Sequence, residues 1–181
     1  VLAFGGSQGA KSINNSLIQI IEEHKNQNYN LIWSAGAKGY EELKQRWGEK
    51  IDSYTNAKVV PYIYNMEELY NAVDLVVCRS GAMTVTEIMT VGKPAIFIPF
   101  PYATENHQEY NARVLADKKA AKIILDKDLT AEKLNIEIEN LIGYPQVLKE
   151  MGITAEKIAK KDVEKHIYEE IRKILPSKRI K

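Results

Sequence analysis

Six short apolar runs, each separated from the next by a segment of helical period, restrict this chain to few architectures. They are Val1–Phe4, Asn30–Ala35, Ala57–Pro61, Asp74–Cys78, Pro94–Ile98 and Ala121–Leu125. Their apolar residues are mostly continuous rather than alternating, as expected of strands buried on both faces. Strands that alternate with helices form a parallel sheet covered on both sides. The right-handed crossover rule then favours the order 3-2-1-4-5-6. The expected fold is α/β, a Rossmann-like, doubly wound six-stranded parallel sheet with extra C-terminal helices.

The intervening helices read as follows. Ile13, Leu17, Ile20 and Ile21 form an apolar stripe after the glycine turn Gly5-Gly6-Ser7-Gln8-Gly9-Ala10. Further helices are expected at Glu41–Trp47, Met66–Tyr70, Ala82–Val91, Gln108–Asp117 and Leu129–Ile142. Beyond the Gly143-Tyr144-Pro145 break come two more helical stretches, the last carrying Val163, Ile167, Ile171 and Ile174. The expected division is residues 1–144 as the ligand-binding unit, 145–175 as added helices and 176–181 as a frayed tail.

Composition removes several function classes. Lys and Arg total 25 against 24 Asp and Glu, so no global field favours nucleic acid. The single cysteine, Cys78, cannot form an internal disulfide, which fits a reducing compartment. No apolar run approaches the roughly 20 residues of a membrane span, and no signal peptide is evident. The opening VLAFGG starts inside a strand, so the chain is expected to be one part of a longer protein with a partner domain.

In doubly wound sheets, ligands bind beyond the carboxyl ends of the strands. The loops after strands one, three, four and five are therefore the candidates. The first, GGSQGAKS, resembles a P-loop but has Ala10 where the second glycine belongs, and its glycines are misspaced for a dinucleotide fingerprint. It remains a strand–glycine–helix turn in which Gly6 and the Ser7 hydroxyl face a ligand and Lys11 faces solvent. The loop Arg79-Ser80-Gly81-Ala82-Met83-Thr84 carries more chemistry. Free N–H groups at the positive end of the helix suit a phosphate. Ser80 is expected to cap that helix, and Gly81 and Ala82 are small enough for a diphosphate to approach the backbone. Thr84 adds a hydroxyl, and Glu87 a carboxylate able to accept two hydrogen bonds from a ribose diol. Arg79 pairs with either a carboxylate or a phosphate.

After the fifth strand, Phe97 is expected in the core, with Phe100 and Tyr102 either core or pocket wall. Asn106, Gln108 and Asn111 make an amide patch, and Gln108 offers both donor and acceptor to vicinal sugar hydroxyls. His107 has no Cys or His at metal-ligand spacing, so no metal site is expected. No Ser/His/Asp or Cys/His set is evident, and Cys78 reads as packing. The residues alone thus describe a phosphate-binding pocket of nucleotide-sugar type.

The segments GGSQGA, CRSGAMTVTEI, GKPA and ENHQ-x-x-NA, in that order, resemble the C-terminal half of the MurG family of N-acetylglucosaminyltransferases. That family has the two-domain GT-B fold and completes the lipid-linked peptidoglycan precursor on the cytoplasmic side of the bacterial membrane. The resemblance runs from Val1 to about Ile142 and implies that this half binds UDP-N-acetylglucosamine. It places Ser7 near the donor phosphate and sugar, and the backbone of Ile63 at the uracil. Main-chain amides of Ala82, Met83 and Thr84 meet the diphosphate, with Val85 and Thr86 in the same stretch. Glu87 takes the ribose hydroxyls and Gln108 the N-acetylglucosamine. Gly6, Arg79, Gly81, His107 and Asn111 are secondary candidates, and Tyr62 and Tyr64 are read as walls for the base.

The implied reaction is inverting transfer of GlcNAc to the C4 hydroxyl of lipid-linked N-acetylmuramoyl-pentapeptide, serving cell-wall biogenesis, cell shape and division. No cofactor and no metal is implied, since the helix dipole stabilises the leaving diphosphate. The catalytic base, the lipid-linked acceptor site and peripheral membrane contact belong to the N-terminal half, toward which the family's C-terminal helices cross back. Two alternatives stand beside this. One is a UDP-GlcNAc 2-epimerase or another GT-B transferase, for which Glu105, His107 and Glu109 are the available acids and histidine. The other is a non-catalytic nucleotide-sensing module.

Overall fold

The computed structural model describes residues 1–23, 27–160 and 162–174. Its sheet consists of β1 (Leu2–Phe4), β2 (Leu31–Ser34), β3 (Ala57–Val60), β4 (Val76–Cys78), β5 (Ala95–Phe97) and β6 (Ala121–Ile123). The order is β3-β2-β1-β4-β5-β6 and every pairing is parallel, as expected. The strands are shorter than the apolar runs, yet flanking residues stay hydrogen-bonded to the ladder, as where Val76 donates its N–H to Pro94 O at 3.0 Å. Ile98, just beyond β5, still donates its N–H to Cys78 O at 2.8 Å.

Among the described residues there are eight α-helices: α1 (Lys11–Glu23), α2 (Ala37–Trp47), α3 (Met66–Ala72), α4 (Ala82–Val91), α5 (His107–Ala116), α6 (Ala131–Ile142), α7 (Pro145–Ile158) and α8 (Val163–Ile174). Alternate residues of each strand enter opposite cores. Ala3, Val77 and Ile96 join the stripes of α1 and α6 (Ile13, Leu17, Ile20, Leu134, Ile138). Leu2, Phe4, Val76, Cys78 and Phe97 join Val85 and Ile88 of α4 and Ala112 and Leu115 of α5. Helix α7 packs against α4 and buries Met151 and Ala155. Helix α8 buries no residue. The expected tail, 176–181, lies outside the described residues.

The end of β1 is held by a close backbone approach. Gly9 and Gly36, with φ of 77° and 79°, lie against each other, so a Cβ on Gly36 would stand 2.3 Å from Gly9 N. This turn starts α2 at Ala37, four residues ahead of the expected Glu41. Buried Asn14 ties the same region together, accepting from Trp33 Nε1 at 3.2 Å and donating to Ala35 O at 2.9 Å.

On the far side of α1, Glu22 receives Arg46 Nε at 2.8 Å, Arg46 Nη2 at 2.7 Å and Trp47 Nε1 at 2.8 Å. The bonds from Arg46 and then Trp47 hold the Glu22 carboxyl below its usual range. A lowered folded-state value stabilises above the unfolded carboxylate pKa, and the contribution disappears as pH falls through the folded value. Glu22→Gln is therefore expected to cost about 0.5–1 kcal/mol at pH 7, a small figure because the pair is partly exposed. Urea titrations should show this gap closing below about pH 4; a gap that persists in acid would refute the assignment.

Candidate functional site

Two clefts open at the carboxyl edge of the sheet. One, of about 540 Å³, lies between the loop after β3 and α4, and includes Ser7, Ile63, Tyr70, Met83 and Glu87. The other, of about 640 Å³, lies between the start of α1 and the loop after β5, and includes Lys11, Phe100, Tyr102 and Gln108. Phe4, Gly6 and Thr84 line both, so the two clefts meet over the first turn of α4.

That turn is electropositive and open. Its N-cap is Gly81, with φ −62° and ψ 151° and no side-chain cap. The first closing bond runs from Val85 N to Gly81 O at 3.0 Å, which leaves the N–H groups of Ala82, Met83 and Thr84 ahead of the intrahelical ladder. Nothing lies within 4 Å of where a Cβ on Gly81 or Gly6 would stand. The expectation that Ser80 caps this helix is corrected. Ser80 is fully buried, and its hydroxyl donates to Gln108 O at 2.8 Å.

Gln108 also differs from its expected form. Its Oε1 accepts from Phe100 N at 3.0 Å and Ser80 N at 3.3 Å, so both carbonyl lone pairs hold backbone. Only its NH₂ remains for a ligand in the larger cleft. Asn111 is engaged in the same scaffold, donating to Ser80 O at 3.1 Å. Asn106 donates to Glu109 at 2.8 Å, and exposed His107 bonds Thr104 O at 2.9 Å; neither lines a cleft.

Arg79 takes the carboxylate partner. Its guanidinium pairs with Asp126, reaches Ile98 O and Pro99 O at 3.0 Å each, and donates to Ser12 Oγ at 3.0 Å. Asp126 follows β6, a loop that sequence reasoning left out. No local pattern marks a pairing across 47 positions. Val85 is buried in the core, and with its N–H used within α4 it brings nothing to either cleft. Thr86 lines the smaller cleft but bonds its hydroxyl to Ala82 O at 2.9 Å. Lys11, read as solvent-facing, is exposed and also borders the larger cleft.

Aromatic pairs wall the groove: Tyr62 with Tyr64 at 5.0 Å, and Phe100 with Tyr102 at 5.7 Å between centroids. Phe97 is core, as expected. Cys78 is fully buried, and desolvation followed by the charge of Glu87 pushes its thiol pKa up, away from nucleophilic use. Glu87 accepts from Tyr70 Oη at 3.2 Å, and Tyr70 is a cleft residue that sequence reasoning missed. Among the described residues, no group of three or more His, Cys, Asp or Glu is arranged to hold a metal. No described helix is long and apolar enough to cross a membrane.

Comparison with known proteins gives concordant results. The family model for the glycosyltransferase family 28 C-terminal domain matches residues 1–167. A curated relative from Thermoanaerobacter sp. (strain X514) is 42% identical over 175 residues, covering 96% of this chain and 48% of the relative. It is named UDP-N-acetylglucosamine--N-acetylmuramyl-(pentapeptide) pyrophosphoryl-undecaprenol N-acetylglucosamine transferase. The crystal structure of Acinetobacter baumannii MurG matches with TM-score 0.82 and 35% identity, over 96% of this chain and 49% of that one. UDP-GlcNAc 2-epimerase from Neisseria meningitidis, bound to UDP-GlcNAc, matches with TM-score 0.61 and 14% identity over 95% of this chain and 43% of that one, a likeness of fold alone. The chain spans about half the length of the curated relatives it matches.

Proposed function

The chain belongs to the glycosyltransferase family 28 C-terminal domain family, and from that premise we propose that it is the donor-binding half of an inverting UDP-GlcNAc-dependent transferase. The observation that carries the proposal is the uncapped N-terminus of α4 at the junction of the two clefts. A diphosphate seated there meets the amides of Ala82, Met83 and Thr84, the hydroxyls of Ser7 and Thr84, and open space over Gly6 and Gly81. Uridine extends into the smaller cleft, its base at Ile63 against the wall formed by the Tyr62–Tyr64 pair and its ribose at Glu87. The sugar extends into the larger cleft, toward the Gln108 amide.

As the glycosidic bond breaks, charge accumulates on the departing UDP, and aligned N–H groups at a helix N-terminus stabilise it without reorganising. The acceptor is the C4 hydroxyl of lipid-linked N-acetylmuramoyl-pentapeptide, at the cytoplasmic face of the bacterial membrane. The base and the acceptor site are assigned to residues beyond these 181, which bind donor but do not complete transfer. Helices α7 and α8 make up the helical extension, with Ile167 and Ile171 of α8 exposed for contact with the other half.

The epimerase alternative is less well supported. Glu105, His107 and Glu109 line neither cleft, and Glu109 is engaged by Asn106 and Arg113. Titration calorimetry with UDP-GlcNAc, UDP-glucose and TDP tests the assignment. Glu87→Ala is expected to weaken UDP roughly tenfold, the value of one or two charge-assisted bonds at an exposed carboxylate. Unchanged UDP affinity would overturn the ribose assignment.

A further inference from the structure

Tyr70 sits on α3, outside the loops that build the groove, and only 3% of it is exposed. Its ring is part of the core cluster that holds Val76, Cys78, Val85 and Ile88. A buried tyrosine needs a partner for its hydroxyl. This one finds it on the exposed side chain of Glu87, donating to Oε2 at 3.2 Å. Burial raises the phenol's pKa, with Cys78 and Glu87 adding to the effect, so the hydroxyl remains a donor throughout the working pH range. The second carboxylate oxygen, Oε1, has no protein partner among the described residues.

A glutamate projecting from a helix into water samples several rotamers, and fixing one on binding costs entropy. An immobile donor beneath one oxygen removes part of that cost before the ligand arrives. We infer that Tyr70 is a positioning residue for nucleotide recognition: its hydroxyl holds the Glu87 carboxylate so that the other oxygen faces a vicinal diol. The inference rests on the donor-site reading above and adds to it the device that sets its selectivity for a ribose. The bond crosses from α3 to α4, so it also ties the wall that carries the base to the helix that carries the phosphates.

The test uses the 181-residue chain with UDP and with 2′,3′-dideoxy-UDP, which lacks both hydroxyls. Tyr70→Phe keeps the ring, and Glu87, being exposed, exchanges the lost donor for water, so the melting temperature is expected to hold. UDP is expected to bind roughly three- to tenfold more weakly to this variant, the value of a pre-set side chain and one bond. The dideoxy nucleotide is expected to bind it as it binds the parent. Tyr70→Phe/Glu87→Ala is expected to bind UDP no more weakly than Glu87→Ala, because both substitutions remove one device. Parental UDP affinity in Tyr70→Phe, or equal losses for both nucleotides, would overturn the inference. If Glu87→Ala weakens UDP while Tyr70→Phe does not, the positioning role falls and the ribose assignment stands. If Glu87→Ala also has no effect, the ribose assignment falls and takes the positioning role with it.

Discussion

Gly81→Val is expected to fold as well as the parent chain and to weaken UDP binding roughly a hundredfold, about 2.7 kcal/mol of lost affinity. The backbone at Gly81, φ −62° and ψ 151°, suits any residue, and a Cβ there meets nothing within 4 Å. Two small terms then compete in stability. Valine is a poorer N-cap than glycine, a loss of some tenths to about 1 kcal/mol. Reducing the freedom of the unfolded chain returns about 0.4–1 kcal/mol. They nearly cancel, so the melting curve should barely move. The γ-methyls, however, enter the space above Ala82, Met83 and Thr84, where a phosphate must stand within hydrogen-bond distance of the backbone. Thermal melting and calorimetry on one preparation separate the two effects. A Gly81→Val chain that binds UDP normally would remove the α4 terminus as the phosphate site.

The second large effect concerns stability. Arg79 and Asp126 are mostly buried, with side chains 14% and 19% exposed, and the guanidinium also serves Ile98 O, Pro99 O and Ser12 Oγ. Arg79→Met leaves a nearly buried carboxylate without its counter-ion, an error that costs about 3 kcal/mol or more. For a chain of this size that is a fall of about 6–12 °C in melting temperature. Arg79→Lys is expected to recover only part of it, since one ammonium cannot reproduce a planar fork with five donors. Arg79→Met/Asp126→Leu should recover more, because it removes the orphaned charge. A melting temperature within about 2 °C of the parent in Arg79→Met would show that the clamp carries little, as exposed pairs do. The clamp joins the end of β4, the loop after β5, the start of α1 and the turn after β6. Losing it should therefore loosen the larger cleft as well.

The sheet was legible because its signals are local. The apolar runs are nearly continuous, interrupted by an exposed lysine only in the two edge strands (Lys58 and Lys122), each is followed by a helical stripe, and the handedness of crossovers leaves few orders to choose from. Helix α4 was read to both ends, since Gly81 precedes it and Gly92, in a left-handed conformation, stops it. Helix α2 starts four residues ahead of its apolar pattern because its start depends on Gly36 meeting Gly9, a contact between two loops. Ser80 departs from the local pattern for a related reason. A serine before a helix is a good cap in isolation, but here α5 offers it a buried carbonyl, which it takes instead.

The strand order, the family and the position of a glycine-led helix terminus at the ligand edge of the sheet are all readable from the chain alone. These depend on periodicity, turn chemistry and motif order, all carried by neighbouring residues. Which polar groups remain free depends instead on contacts between distant parts of the chain. These engage Arg79 with Asp126, give the Gln108 carbonyl to two backbone amides, and set the Tyr70 hydroxyl against Glu87. Those partners lie 8 to 47 positions apart. Most of them meet because the sheet order brings distant loops to one edge, where the buried side-chain polar atoms find partners while groups facing the clefts stay open.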